Sequence, residues 1–226
     1  MVSANQNSTS QSQTGGTNTV SHEDHMRISS AISTAEKTTS GEIFAVIARS
    51  SDDYRYVSGF FSATWALFTG LALAIANWFF QLGLTVEMLC IAQVLSFAAS
   101  LLVIWKFPTL RMMLVPHKIA HRRAHNNALR QFLAHGIHGT TNRAGVLLFV
   151  SLMEHHAEVV ADKNINEKVD QQQWDDLVTI LTRHAASGNM ADGFVMAIEE
   201  TGKVLAQHFP PGVENNNDLD DRLVEI

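Results

Sequence analysis

Cysteine is almost absent from this chain of 226 residues. The single cysteine, Cys90, lies inside a long apolar stretch. Because there is only one, the chain contains neither an internal disulfide framework nor a zinc site built on cysteines. About half of the residues are hydrophobic, 46% of the chain. This share is typical of a protein that folds rather than of one that is disordered throughout.

Charge is missing from the middle of the chain. Between Val57 and Trp105 the only charged residue is Glu87. A membrane-spanning helix needs roughly 20 apolar residues, and two such segments fit, Val57–Trp78 and Leu84–Trp105. We predict two spans rather than a helical hairpin buried in a soluble protein, because no polar face recurs at helical spacing.

Small residues recur at every fourth position of the first predicted span. They are Gly59 with Ala63, and Ala66 with Gly70 and Ala74. This spacing allows another helix to approach closely. The sequence leaves open whether that helix is the second span or part of another protein.

Acidic residues are missing between Glu87 and Glu154, whereas basic residues follow the second predicted span. These basic residues are Lys106, Arg111, Lys118, Arg122, Arg123, Arg130 and Arg143. The connection between the spans has no lysine or arginine, so the positive-inside rule predicts an inner-membrane protein with both termini in the cytoplasm. Lysine and arginine next to a span attract anionic headgroups. We therefore expect membrane lipid, and no nucleic acid, as a partner.

The soluble segments predict an α/β domain that the spans interrupt. Ile28, Ile32 and Ala35 form one apolar stripe of a helix, and Glu42–Ala48 resembles a strand. One helix and one strand cannot bury a core alone. The remaining elements are a helix from about His117, strands Val146–Leu152 and Glu158–Ala161, and helices around Trp174–Leu181 and Phe194–Leu205. We expect helices around a small mixed sheet, with Glu42–Ala48 paired to Val146–Leu152.

The predicted organisation has five parts. They are a disordered leader (1–20), the first part of the domain (21–55), the transmembrane hairpin (56–106), the second part of the domain (107–211) and an acidic tail (212–226).

Three stretches carry a resemblance to the TPM domain family. They are TTSGEIFAVIARSSDDY from Thr38, TTNRAGVLLFVSLMEHHAEVVADKNI from Thr140 and ASGNMADGFVMAIEETGKVLAQHFP from Ala186. The resemblance implies a small α/β domain found beside or within membrane proteins of bacteria and plastids. It also implies calcium binding, weak phosphatase activity and a role in the assembly or repair of membrane complexes. Where the better-studied branch has Gly-x-Gly after the second hairpin strand, this chain has Ala161–Asn164.

Motifs of established chemistry are few. The sequence has no EF-hand loop, P-loop, Rossmann glycine pattern or G-x-S-x-G, and its catalytic residues, if any, are unknown. His117, His121 and His125 have helical spacing but lack the glutamate of a zinc protease motif. We interpret them as part of a helix facing anionic headgroups, with metal binding as the alternative. Glu154, with the two histidines that follow it, is interpreted as a polar hairpin turn rather than a metal site.

Oxygen-bearing side chains cluster in the predicted loops. The carboxylates are Asp52, Asp53, Asp162 and Asp192, and the neutral amides are Asn142, Asn164 and Asn189. Ligands gather at strand ends in open α/β sheets, and oxygen-rich loops suit Ca²⁺ or Mg²⁺. If a divalent cation binds, we expect Asp162 and Asp192 as its ligands.

The functional hypothesis that needs no catalytic motif is an interaction or assembly module at the cytoplasmic membrane surface. Its partner would be another membrane protein or a second copy of the chain. The alternative is a divalent-metal-dependent phosphatase at the same surface. A small channel formed by several hairpins is a third and the least favoured hypothesis. The absence of Asp, Lys and Arg within the spans argues against an ion-coupled transporter.

Overall fold

The computed structural model describes residues 20–137, 144–211 and 219–226. Of the sequence predictions, almost all of the leader, the candidate ligand Asn142, the basic residue Arg143 and residues 212–218 of the tail lie outside the described residues.

The described residues form eight helices and a four-stranded mixed sheet, which confirms the predicted α/β class. The elements in chain order are α1 (His22–Glu36), β1 (Glu42–Ala48), α2 (Arg55–Phe80), α3 (Val86–Lys106), α4 (Pro108–Met113), α5 (His117–Ala134), β2 (Gly145–Ser151), β3 (His156–Ala161), α6 (Lys163–Asn166), α7 (Gln171–Ala186), α8 (Met190–His208) and β4 (Leu223–Glu225). The short helices α4 and α6 and the strand β4 were not predicted from the sequence.

The sheet has the strand order β3-β2-β1-β4. Strands β1 and β2 are parallel and in register from Glu42 opposite Gly145 to Ala48 opposite Ser151. The predicted pairing of these two strands across the apolar helices is therefore confirmed. Every residue of both strands is buried, as expected for central strands covered on both faces.

Helices cover the two faces of the sheet. Alternate residues of β1 point to opposite faces: Ile43 and Ile47 join a core with α1, α7 and α8, whereas Phe44 and Val46 join a second core with α5. Two helices of the larger layer approach closely, because a Cβ at Gly202 of α8 would lie 2.8 Å from the Cβ of Ala35 in α1. The domain thus has three layers, with the sheet in the middle.

The apolar helices α2 and α3 pack mainly on each other. Thr69 and Ser96 share a hydrogen bond of 3.0 Å between their hydroxyl oxygens, and a Cβ at Gly70 would lie 3.2 Å from Cδ of Gln93. A Cβ at Gly59 would meet nothing within 4 Å. Gly70 therefore serves the contact with α3, whereas Gly59 faces open space.

Both helices are long and apolar enough to cross a membrane. Their most apolar windows have a mean hydropathy of 1.6 in α2 and 2.2 in α3, and only 11% and 6% of those windows are buried in the protein. The connection between them is short, and the amide N–H of Leu84 donates to Oδ1 of Asn77 at 2.9 Å. Helix α2 is two residues longer than the predicted span at each end. Helix α3 begins two residues later than predicted and ends one residue later.

The final residues correct the predicted acidic tail. Leu223–Glu225 forms β4, which pairs in parallel with β1 from Ala45 to Ile47. The N–H of Ile226 donates to the carbonyl of Ile47 at 3.0 Å, and the N–H of Arg49 donates to the carbonyl of Ile226 at 2.9 Å. The exposed edge of β1 needs backbone partners, and this requirement outweighs the polar character of the segment.

Candidate functional site at the carboxyl end of the sheet

The carboxyl ends of β1 and β2 meet at the edge of the sheet from which α2 begins. Because the two strands are parallel, the loop from Arg49 to Tyr54 lies beside the turn from Leu152 to His155. The N–H of Leu152 donates to the carbonyl of Ala48 at 2.9 Å, which holds the two connections together. This edge is the place where the sheet joins the apolar hairpin.

A buried glutamate, Glu154, lies at the centre of this edge, with only 3% of its surface exposed. Its Oε1 accepts hydrogen bonds from the N–H of Ser51 at 3.0 Å and from the hydroxyl of Tyr54 at 2.8 Å. Its Oε2 accepts a hydrogen bond from the hydroxyl of Ser151. These donors compensate for the burial of the carboxylate, so Glu154 connects the ends of both strands to the residue that precedes α2.

The hydroxyl of Tyr54 acts as a hydrogen-bond donor in this network. Burial, together with the hydrogen bond to Glu154 and the charge of that carboxylate, raises the pKa of Tyr54 above its usual range. Tyr54 has a left-handed backbone, with φ of 50°, a conformation that non-glycine residues adopt rarely. The network therefore fixes an unfavourable backbone conformation at the start of α2.

The expected hairpin turn is confirmed, because Leu152–His155 joins β2 to β3. The expectation that its polar residues face water fails for Glu154, which points into the protein. Two of the donors to Glu154, Ser51 and Tyr54, precede it by about a hundred residues, so no local pattern reveals them. The signal in the sequence was the Ser-Ser-Asp-Asp-Tyr segment directly before the first predicted span.

A cavity of about 740 Å³ lies beside Glu154, between the turn and the start of α5. Its wall contains an arginine and three histidines, which are Arg49, His117, His121 and His155, and three methionines, Met112, Met113 and Met153. Flexible methionines suit an adaptable apolar surface, whereas arginine and protonated histidines attract anions. The cavity therefore fits a group that is partly apolar and partly anionic.

A second cluster connects α5 to β3. Nδ1 of His125 lies 2.6 Å from Oε1 of Glu158, and Nε2 of His156 lies 3.1 Å from Oε2 of the same carboxylate. Burial raises the pKa of Glu158, but the hydrogen bonds from His156 and His125 outweigh it and hold the pKa below its usual value. The ring of His121 contacts His156 edge-on, with centroids 5.0 Å apart. Two of the three histidines expected to face headgroups are thus engaged by β3.

The predicted metal ligand Asp162 follows β3 and caps α6. Its Oδ1 accepts from the N–H of Lys163 at 2.6 Å, while its Oδ2 is buried without a hydrogen-bond partner among the described residues. The N–H of Asp162 donates to the carbonyl of Gly145, at the start of β2. Asp162 therefore lies at the amino end of the parallel strands, away from the edge that Glu154 occupies.

The other predicted ligand, Asp192, lies in the first turn of α8 and accepts from a guanidinium nitrogen of Arg27 at 2.6 Å. The far end of α8 reaches the amino end of the sheet, where the carbonyl of Phe209 accepts from the N–H of Ser40. At 1.5 Å per residue, α8 extends about 24 Å from Asp192 to its end at His208. The structure does not bring the two carboxylates together.

The remaining carboxylates of the predicted set are engaged by arginines. Oδ2 of Asp52 lies 3.0 Å from Nε of Arg123, and Oδ2 of Asp53 lies 3.5 Å from Nε of Arg55. Asn164 lies within α6, and Asn189 directly precedes α8. Within the described ranges no group of three or more His, Cys, Asp or Glu side chains is arranged to hold a metal ion. Binding of Ca²⁺ or Mg²⁺ stays a prediction, and Asp162 is its better candidate because one oxygen is unpartnered.

Comparison with known proteins identifies the domain. The family model of the TPM domain matches residues 109–204. Residues 109–204 of this chain are thus similar to a TPM domain. The match runs from α4 to near the end of α8, so α1 and β1 lie outside it, although β1 pairs with β2 along its whole length. The sheet of the matched region is therefore completed by a segment that precedes the apolar helices.

A solved structure shares the fold. The NMR structure of the BA42 protein from the psychrophilic bacterium Bizionia argentinensis superimposes with a TM-score of 0.57 at 19% identity, over 92% of this chain and 97% of that one. At this identity the similarity establishes the fold alone. No curated protein matches the sequence of the chain.

Proposed function

We propose that the chain is a TPM domain anchored in the cytoplasmic membrane by α2 and α3, and that it acts there as an interaction or assembly module. The observation that carries the proposal is the direct connection between sheet and hairpin. The Glu154 network joins both central strands to Tyr54, one residue before α2 begins. A domain held this rigidly on its anchor presents its surfaces to neighbouring membrane proteins in one orientation.

The exposed apolar surface of the two helices supports the membrane anchor. Large side chains such as Phe68, Leu95 and Leu102 are more than 60% exposed. A soluble protein rarely exposes a continuous apolar surface of this extent, and such patches mark membrane or protein contacts.

Charge supports an orientation with the TPM domain in the cytoplasm. Lys106 ends α3, and Arg111 follows in α4, whereas the connection between α2 and α3 carries no basic residue. Lysine and arginine are enriched in cytoplasmic segments. The hairpin connection would then be the part outside the membrane.

Cysteine labelling tests the anchor and its orientation. In a Cys90→Ser background, Leu82→Cys places a thiol in the exposed connection and Ser187→Cys places one in an exposed loop of the TPM domain. We expect an impermeant maleimide to label the first variant in intact cells and the second only after the membrane is opened. The reverse pattern would invert the topology, and extraction of the protein by alkaline carbonate would refute the anchor.

The hydrogen bonds of Glu154 favour the interaction module over the phosphatase. Both oxygens of Glu154 accept hydrogen bonds from the protein itself, which suits a structural connection. No described contact specifically favours the phosphatase. A phosphatase assay with and without Mg²⁺ separates the two: we expect no metal-dependent turnover above that of the heat-denatured chain, and turnover that saturates with substrate would favour the enzyme.

The partner is best sought in the native membrane. A photo-reactive residue in place of Met196, which is 45% exposed on α8, reports what lies beside the TPM domain. We expect one discrete cross-linked product, either a second copy or a single membrane protein. A smear of unrelated products, equal to that of a denatured control, would contradict an assembly role.

A further inference from the structure

A groove between α2, α3 and α4 combines an apolar wall with two arginines. Its volume is about 730 Å³. The wall comes from Ala98, Leu101, Leu102 and Trp105 of α3. Arg55, the first residue of α2, and Arg111 of α4 stand at one end of the groove.

The arginines of this groove have little to bind within the protein. Arg55 lies 3.5 Å from Asp53, but both side chains are largely exposed, at 86% and 77%, and an ion pair of this kind contributes little. Arg111 forms no ion pair with any carboxylate in the part of the chain that the structure describes. With Asp53 included, the end of the groove keeps one net positive charge.

The position of the groove indicates the chemistry of its occupant. When α2 and α3 span a bilayer, Leu101 and Leu102 face acyl chains, and Trp105 reaches the interface that tryptophan favours. The arginines then lie at the depth of the phosphate groups. Guanidinium groups bind phosphate with paired, planar hydrogen bonds, and basic pockets between spanning helices on the cytoplasmic side bind acidic headgroups.

We propose that this groove holds one anionic phospholipid, with its phosphate between Arg55 and Arg111 and one acyl chain along the wall of α3. The site rests on the membrane anchor proposed above. It differs from the diffuse attraction of the basic segment to the membrane, because it needs these two arginines and the apolar wall together. Free phosphate satisfies only the polar half of the groove.

Native mass spectrometry of the full chain tests the site. The protein is released from nanodiscs made of equal parts phosphatidylglycerol and phosphatidylcholine, and the retained lipids are counted. We expect the wild type to retain one bound phosphatidylglycerol. The fraction of protein that retains this lipid should be about ten-fold lower in the Arg55→Gln/Arg111→Gln variant. The matched control is Lys118→Gln/Arg122→Gln, which removes two exposed charges from α5 and should keep it.

A second variant tests the apolar half. Ala98→Trp fills the groove without changing its charge, and it should also abolish the retained lipid. Inorganic phosphate at millimolar concentration should displace none of it, and displacement would assign the site to a free anion instead.

Equal loss in both double variants would show diffuse attraction and overturn the proposal, as would equal retention of both lipids by the wild type. These results leave the anchor intact as long as the cysteine labelling shows an inserted hairpin. Failure of insertion would instead refute the proposed function itself.

Discussion

Replacing Glu36 by glutamine should remove a large part of the pH dependence of stability. Glu36 ends α1 and is only 7% exposed. Its Oε1 accepts from the N–H of Ile43, in β1, at 2.8 Å. Burial raises the pKa of Glu36 to about 9, and the nearby acids Glu42 and Asp221 add to the rise, while the hydrogen bond from Ile43 opposes it.

The sign of the effect follows from proton binding. The unfolded chain releases the Glu36 proton near its ordinary value of 4.5, and the folded chain keeps it up to about 9. The folded state therefore binds the extra proton between these values, and the stability it provides is lost as pH rises. Each pH unit in this window corresponds to about 1.4 kcal/mol. Between pH 5.5 and 7.5 the loss from Glu36 alone should approach about 2.7 kcal/mol.

Glutamine keeps the shape and stays neutral, so Glu36→Gln should lack this loss. We expect the variant to gain stability over the wild type by about 2 to 3 kcal/mol when pH rises from 5.5 to 7.5. Urea unfolding of the full chain in nonionic micelles measures it through Trp174, once the three other tryptophans are changed to phenylalanine. Glu199→Gln, at an exposed position of α8, is the control. Parallel pH profiles for wild type and Glu36→Gln would refute the reasoning.

Three further predictions concern the site, the hairpin and the split domain. Glu154→Gln should destabilise the domain by about 2 to 4 kcal/mol, because the amide cannot accept from all the donors around it; urea unfolding within 0.5 kcal/mol of the wild type would contradict this. Gly70→Val should lower the melting temperature in micelles, whereas Gly59→Val, in open space, should not; equal effects would refute the assigned packing. The fragment 112–226 should fail to melt cooperatively, and joining 21–54 to it through a flexible linker should restore a soluble fold; a cooperative melt of the fragment alone would contradict the split domain.

The sequence predicted elements whose signal is local and strong. The absence of charge over long stretches predicted α2 and α3, and the apolar runs predicted the strands β1 and β2. The pairing of β1 with β2 was predicted because one helix and one strand cannot bury a core alone, whereas the parallel direction was not predicted. Helix α5 begins at His117 as predicted, directly after Pro116, because proline fits the beginning of a helix.

Contacts between distant residues were beyond prediction from one sequence. Ser51 and Tyr54, which donate to Glu154, precede the apolar hairpin in the sequence, and Glu158 contacts His125 of another element. Strand β4 has only three residues, too few for a periodic pattern, and the open edge of β1 determines its formation. Strand β3 runs antiparallel to β2, so its last residues lie beside the first residues of β2. Asp162, which follows β3, is therefore at the amino end of the parallel strands and not at the carboxyl end, where ligands of α/β sheets gather.

The insertion of the hairpin between β1 and β2 has a consequence for the order of folding. Parallel neighbours need a crossover connection, and here that connection contains α2, α3, α4 and α5. During synthesis α1 and β1 emerge first, and β1 cannot pair until β2 has been made on the far side of the hairpin. If the hairpin spans a membrane as proposed, both of its ends must therefore lie on the same side before the sheet can close. The Glu154 network forms only when β1, β2 and the start of α2 are all in place, so it stabilises the closed domain and not its precursors.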